Sequence, residues 1–292
     1  MTTRPSIIKT LPAALCALLA VSFPGLRSPA TAATAGEPPA PALRYAPAAP
    51  GHTLPNLGTG AGLAGRPDAQ LLLRKNTAKN FGNCEPATLV LDTGTGPFQR
   101  GRAIDLSAND GNGGKVIHCA SIARTNLGGL PACTITLWYK LAAPLPTARG
   151  SFTTLFRSAA FDLLFSTDTL CALARGTEKA DGAPDRLYAP RDSASALARE
   201  GEWLFVALVW DGATGDATLL GGSESARAAV LKTARLAAHG TAIPDKGLLN
   251  LGYHNLSEGG TRAFDGQLAD IRVYAAALAP AQVETVRVSA GK

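Results

Sequence analysis

A run of oxygen-bearing side chains between residues 105 and 112 could bind a hard cation. Asp105, Ser107, Asn109, Asp110 and Asn112 offer carboxylate, hydroxyl and amide oxygens, which are the ligands that calcium prefers. The spacing is not that of an EF-hand, because Asp110 stands where that loop needs glycine and no Glu follows at its last position. The alternative, which the Asn/Asp/Gly composition fits better, is a turn whose side chains bind their own backbone. If a calcium site forms here, the predicted ligands are Asp105, Asn109 and Asp110.

The stretch 251–260 (LGYHNLSEGG) could bind a sugar. Tyr253 offers a ring, His254 an imidazole, Asn255 an amide and Glu258 a carboxylate, just after a predicted strand. Ligand sites combine such a ring with a few convergent polar groups. The alternative is a hairpin loop that binds nothing. We take Tyr253, His254, Asn255 and Glu258 as the predicted ligand-binding residues.

The sequence lacks the patterns that mark a hydrolase. Glycoside hydrolysis needs two carboxylates across a cleft, and the acids near predicted strands, Asp105, Asp162 and Asp270, are single. Asp270 could join a calcium site or be an exposed strand residue. None of the four histidines lies in a Gly-x-Ser-x-Gly setting. We predict a protein that is not an enzyme, with a hydrolase as the less favoured alternative.

Four cysteines remain beyond the N-terminal segment, and in an exported chain they suggest two disulfides. Cys119 and Cys133 would close a short loop, so we predict the pairs Cys119–Cys133 and Cys84–Cys171. The alternative is four buried thiols. No Cys-x-x-Cys motif is present, which argues against structural zinc.

Short strands separated by turns must position these groups. Residues 203–211 (WLFVALVWD) are apolar on both alternating faces, which predicts a strand buried on both sides. In residues 133–141 (CTITLWYKL) one alternating face is apolar and the other is more polar. About a dozen such runs, a long polar loop over 177–198 and one helical turn at 279–286 predict an all-β protein, a two-sheet antiparallel β-sandwich.

The N-terminal segment predicts export. Residues 1–35 have basic residues, a short apolar core and small residues at 30–35, as in a signal peptide. The alternative is a single membrane anchor, but the apolar core is shorter than the ~20 residues that a span needs. Residues 36–80 begin rich in Pro, Ala and Gly, which predicts an arm or linker. The net charge of +6 is scattered along the chain and predicts no nucleic-acid partner.

Four motifs in order resemble a known family. Residues 201–212 (GEWLFVALVWDG) and 264–283 (FDGQLADIRVYAAALAPAQV) are similar to the central and closing segments of bacterial laminin G-like jelly-roll domains. Residues 102–106 (RAIDL) and 134–140 (TITLWYK) are similar to two earlier strands. These domains belong to the concanavalin A-like lectin/glucanase group. The resemblance implies a jelly roll over residues 81–288 with a short C-terminal helical turn.

The resemblance also implies a function class. Members of the group often carry calcium and often bind glycans or proteins, so we expect a secreted, periplasmic or cell-surface module that recognises a carbohydrate or an extracellular protein. The alternative is a structural or adhesion domain without a small-ligand site. Two departures bear on the ligand. Residues 218–222 lack the Asn that many relatives have after the hairpin, and Leu204 and Phe205 stand where relatives often have His.

Overall fold

The structure is a computed structural model that describes residues 36–63, 67–75, 84–107, 109, 116–122, 127–146, 151–178, 185–244, 249–253 and 263–292. Residues 35–292 form one compact unit, a sandwich of two antiparallel sheets. The predicted β-sandwich is therefore confirmed. Among the described residues, no helix is long and apolar enough to cross a bilayer. The predicted signal peptide lies outside the described residues.

The first sheet has seven strands. Their order is β1, β16, β7, β12, β13 and β14, and β5 also pairs with β16. The strands are β1 (Leu43–Tyr45), β5 (Ile104–Asp105), β7 (Ala132–Leu141), β12 (Leu204–Asp211), β13 (Asp216–Ser223), β14 (Ala229–Arg235) and β16 (Gly266–Tyr274).

The second sheet has nine strands. Their order is β11, β10, β9, β8, β15, β6, β3 and β2, and β4 also pairs with β3. The strands are β2 (Thr53–Leu54), β3 (Ala69–Lys75), β4 (Cys84–Pro86), β6 (Val116–Ile122), β8 (Phe152–Arg157), β9 (Phe161–Ser166), β10 (Thr169–Ala174), β11 (Asp185–Tyr188) and β15 (Leu249–Leu251).

Three helical segments complete the described fold. A single 3₁₀ turn covers Pro97–Gln99, α1 covers Arg191–Leu197 and α2 covers Pro280–Val288. Proline at the first position of α2 suits the start of a helix, where no backbone donor is needed. The predicted C-terminal helical turn is thus confirmed and is about two turns long.

Strand β12 lies inside the first sheet because both of its faces are apolar. It pairs with β7 on one side and β13 on the other. Leu204, Val206 and Leu208 face the interior core between the sheets, whereas Phe205 and Ala207 belong to a separate cluster on the outer face. The pattern of residues 203–211 therefore predicted both the strand and its burial.

Two predictions about β7 and the N-terminal arm differ from the structure. The more polar face of β7 is as buried as the other: Thr134, Thr136 and Trp138 are at most 1% exposed, because other chain segments cover it. The predicted arm or linker at 36–80 supplies β1 to one sheet and β2 and β3 to the other. A few apolar side chains spaced among Pro and Gly are enough to anchor such a segment.

The structure corrects both predicted disulfides, since all four cysteines are thiols. Cys119 packs beside Tyr253 on the outer face of the second sheet, whereas Cys133 lies in the core on the first sheet. Cys84 in β4 and Cys171 in β10 are separated by five strands of the second sheet. At about 4.8 Å per strand, that separation far exceeds the ~7 Å between Cα atoms that a disulfide can bridge.

Candidate functional site

A row of hydrogen-bonding side chains crosses the outer face of the second sheet. The strand register places Gln70, Ser121, Asn250, Arg157 and Asp162 side by side on β3, β6, β15, β8 and β9. Ser121 Oγ donates to Asn250 Oδ1 at 3.3 Å. Because these residues occupy the outward positions of an alternating pattern, the row is polar where the inward positions of the same strands are apolar.

The row ends in a buried charge cluster. Asp162 is fully buried and its Oδ2 is paired with Arg157 and, at 3.6 Å, with Arg175. Burial raises the pKa of the Asp162 carboxyl to about 6, although both arginines act to lower it. Its Oδ1 has no hydrogen-bond partner. Such a carboxyl holds its neighbours in place and can change charge in weakly acidic conditions.

The cluster does not form the carboxylate pair of a glycoside hydrolase. The residues beside Asp162 on the neighbouring strands are Arg157 and Leu173, and the next outward residue on its own strand is Leu164. Hydrolysis of a glycoside by the usual mechanism needs a second carboxylate about 5–9 Å away. Among the described neighbours of Asp162 in the sheet, none is a carboxylate.

A cavity of about 550 Å³ lies farther along the same face. The β9–β10 hairpin, the end of β11 and the start of α1 enclose it. Its lining combines one aromatic ring, one carboxylate, one guanidinium and several hydroxyls: Ser166, Thr167, Asp168, Thr169, Tyr188, Ala189 and Arg191.

The hairpin fixes the hydroxyl wall of this cavity. Ser166 and Thr169 are cross-strand partners at its end, and Thr169 Oγ1 donates to Asp168 Oδ1 at 3.1 Å. Thr167 has a φ of 60°, a conformation that glycine adopts far more easily. Its backbone N–H donates to the carbonyl of Ser151 at 2.8 Å, which helps to hold the turn.

Strand β11 places the aromatic ring. Tyr188 pairs with Cys171 of β10 and is 42% exposed, one of four large hydrophobic side chains exposed among the described residues. Arg186, two residues earlier on the same face, donates from Nη1 to Tyr188 Oη at 3.3 Å. The backbone N–H of Ala189 donates to Leu170 at 2.9 Å, which ties the chain to the sheet just before α1.

The cavity has the chemistry of a sugar site. An exposed ring can stack on the C–H face of a pyranose, and the surrounding hydroxyls, carboxylate and guanidinium can bind its hydroxyl groups. These groups come from three elements, the β9–β10 hairpin, β11 and α1.

The predicted sugar loop is corrected at Tyr253. This side chain is fully buried and packs with Ile117, Cys119 and Ala263, so it offers no surface for stacking. His254, Asn255 and Glu258 lie outside the described residues. The sequence identified an aromatic residue after a strand but could not show which face of the strand it would occupy.

The two described members of the predicted calcium site bind protein groups instead. Asp105 Oδ1 accepts from the backbone N–H and Oγ of Ser107 at 3.0 and 2.6 Å. Asn109 is buried, its amide donates to the carbonyls of His118 and Phe264, and its Oδ1 accepts from the N–H of His118. Asp105 Oδ1 and Asn109 Oδ1 therefore accept hydrogen bonds from the protein in this structure. Asp110 lies outside the described residues.

Asp270 is a buried strand residue, and its described ion-pair partners are arginines outside the predicted calcium site. It is 5% exposed, has a φ of 45° at an irregularity of β16, and pairs with Arg44 and Arg272. Arg44 and Arg272 also donate to the carbonyls of Lys292 and Ser289. This carboxylate therefore joins the first strand, the last strand and the C-terminus. Among the described residues, no group of three or more His, Cys, Asp or Glu could hold a metal.

Sequence reasoning missed the cavity residues Asp168, Tyr188 and Arg191. Two of them lie in residues 177–198, which the polar composition predicted to be a long loop but which contain β11 and α1. The available signal was a short run, 185–189 (DRLYA), in which a charged and an aromatic residue alternate with apolar ones.

Comparison with known proteins identifies the fold family. The Laminin_G_3 family model, described as the concanavalin A-like lectin/glucanases superfamily, matches residues 110–284, more than half of the chain. No curated protein sequence matches the chain.

Several solved structures share the fold. The binding domain of botulinum neurotoxin DC in complex with rat synaptotagmin II has 12% identity and a TM-score of 0.53, over 86% of this chain and 51% of that one. The same domain in complex with SialylT has 13% identity and a TM-score of 0.50, over 86% and 51%. The receptor binding domain of botulinum neurotoxin mosaic serotype C/D has 12% identity and a TM-score of 0.52, over 86% and 51%.

This chain spans about half the length of these neighbours, and at such identities the likeness shows the fold alone. The family match covers β6 through the first half of α2, including the cavity and the strands β7 and β12. The chain belongs to the concanavalin A-like lectin/glucanase superfamily.

Proposed function

We propose that this protein is an exported, non-catalytic binding module that recognises a glycan through the cavity at the end of the second sheet. The observation that carries the proposal is the exposed ring of Tyr188 among hydroxyls, a carboxylate and a guanidinium. Membership of a superfamily with lectins and the receptor-binding role of the structural neighbours support it. Export rests on the signal-like sequence of residues 1–35.

Binding of the purified protein to a panel of oligosaccharides tests the proposal. We expect at least one saccharide to bind, and Tyr188→Ala to weaken that binding about tenfold or more, because the stacking surface is lost. Tyr188→Phe is the matched control, since it keeps the ring and removes only the hydroxyl that accepts from Arg186. We expect this variant to retain most of the affinity.

The melting temperature separates a site effect from a folding effect. Tyr188 is 42% exposed, so its truncation should leave the melting temperature close to that of the wild-type protein. Binding that survives Tyr188→Ala unchanged, or the failure of every saccharide to bind, would overturn the glycan proposal at this cavity.

Recognition of a protein is the second candidate, and the edge strand β14 favours it. Val230 on this strand is 49% exposed, and an edge strand presents backbone donors and acceptors to which an extended partner chain can pair. Val230→Lys would place a charge on this edge, so weaker binding of a cell-surface protein by this variant, with unchanged glycan binding, would support this candidate.

A further inference from the structure

The cavity lining contains one guanidinium, that of Arg191, and one carboxylate, that of Asp168. Arg191 lines the cavity, is exposed and makes none of the ion pairs found among the described residues. Asp168 is the carboxylate of the lining, and Thr169 hydrogen-bonds to it. Asp192, the neighbour of Arg191 in α1, does not line the cavity. Among the described ion pairs, Asp168 and Arg191 do not pair with each other, so each can contact a ligand separately.

A second guanidinium lies beside the ring, just outside the cavity lining. Arg186 is exposed and donates to Tyr188 Oη at 3.3 Å. This contact uses one of its five N–H donors. The hydrogen bond to Tyr188 contributes to raising the pKa of Arg186, so its charge persists. The hydroxyl end of Tyr188 thus carries a cation, in addition to Arg191 in the lining.

The outer face of the sheet next to the cavity, at the far end of β9, carries an excess of positive charge. Arg157 and Arg175 share the single carboxylate of Asp162, which leaves an excess of one positive charge. Arg186 faces the same side of the sheet as Leu173, the strand neighbour of Asp162. Arginines therefore outnumber carboxylates along the outer positions of β8 to β11, and an anion placed at the cavity is attracted by the whole face.

We propose that the glycan bound in this cavity carries an anionic group. The proposal rests on the proposed function and names its ligand class: an acidic sugar whose ring lies on Tyr188, whose anionic group binds Arg191 and Arg186, and whose hydroxyls bind Asp168 and Thr169. Arginine suits this role because its planar fork binds carboxylates and sulfates in a bidentate manner. The single carboxylate, Asp168, accepts from hydroxyls and so orients the sugar.

Matched pairs of neutral and anionic saccharides test this proposal by isothermal titration calorimetry on the full chain. The pairs are oligogalacturonate and its methyl ester, sialyllactose and lactose, and sulfated and unsulfated galactan oligomers. We expect the anionic member of at least one pair to bind about tenfold more tightly or better, since charged hydrogen bonds are stronger than neutral ones. The preference should fall as the salt concentration rises.

Single substitutions locate the effect. Arg191→Gln and Arg186→Gln should each weaken binding of the anionic member about tenfold and leave its neutral counterpart almost unchanged. Arg227→Gln is the matched control: it removes the same charge from an exposed arginine near α2, where Glu284 lies 3.7 Å away. This variant should bind like the wild-type protein.

The outcomes separate the two proposals. If neutral and anionic members bind equally and Tyr188→Ala abolishes both, the glycan-binding function stands and the anionic preference is overturned. If Arg191→Gln and Arg227→Gln have equal effects, the preference does not arise at this cavity and the inference is also overturned. A preference for carboxylated over sulfated saccharides, or the reverse, identifies which anion the two arginines bind.

Discussion

The two outer faces of this sandwich differ in what covers them. On the first sheet, Trp138 and Phe205 lie under α2 and the turn at Pro97–Gln99, where Phe98 packs edge-on against Trp138. On the second sheet, the outer face carries a polar row and ends in the cavity beside Tyr188. The comparison shows that apolar side chains close the outer face of the first sheet, whereas the outer face of the second sheet combines small apolar clusters with a polar row and an open cavity.

The cause of the difference lies in the residues that alternate outward. Strands β7 and β12 present Trp138, Phe205 and Ala207 outward, and an apolar surface of this size must be buried. Strands β9 and β11 present Asp162 and Arg186 at outward positions, and charged groups are stable where water or an opposite charge can reach them. Ligand recognition is therefore expected on the second sheet and fold stability on the first.

Truncation of Trp138 tests this division most strongly. Trp138→Ala should lower the free energy of unfolding by about 3–5 kcal/mol, because a fully buried ring is replaced by a cavity. Tyr188→Ala, the matched aromatic truncation on the other face, should change it by less than about 1 kcal/mol. Urea denaturation measures both values, and equal losses would show that the two faces do not divide stability and recognition.

The buried carboxyl of Asp162 gives the second largest expected effect. Its folded-state pKa, about 6, is raised above the ordinary value of 3.8, so the folded protein holds this proton more tightly than the unfolded chain. Wild-type stability relative to Asp162→Asn should therefore fall by about 2–3 kcal/mol as the pH rises from about 4 to about 7 and then stay constant. Urea denaturation at a series of pH values measures this difference.

A second variant controls the pH experiment. Arg175→Gln removes a positive charge that lowers the Asp162 pKa, so the pH range of the stability change should move upward. A difference between wild type and Asp162→Asn that is the same at all these pH values would contradict the burial of this carboxyl.

The turn beside the cavity gives the smallest expected effect. Thr167 adopts a φ of 60°, which costs a non-glycine residue about 1–2 kcal/mol, so Thr167→Gly should stabilise the protein by roughly 0.5 kcal/mol after the entropy of glycine is subtracted. Thr169→Gly, in the adjoining strand, should destabilise it by about 0.5–1 kcal/mol. Thermal denaturation of the pair measures the sign, and a loss of stability in Thr167→Gly would show that the Thr167 side chain makes a stabilising contact.

Much of the fold followed from local patterns. The alternation in residues 203–211 and 133–141 predicted the strands β12 and β7, and proline before an apolar run predicted α2. The candidate site was not predicted, because Asp168, Tyr188 and Arg191 lie on three different elements. Tyr253 was assigned to a ligand although it is buried, since the sequence could not show which side of its strand would be covered.

The sequence by itself determined that this chain forms a β-sandwich of its superfamily, because strand periodicity and turn residues act over a few neighbouring positions. Only the tertiary structure decided which outer face is closed, that the four cysteines lie too far apart or on different faces to pair, and that a ring, a carboxylate and a guanidinium meet at one cavity. These outcomes depend on strand order and on the packing of distant segments. Neither can be predicted from the spacing of side chains along the chain.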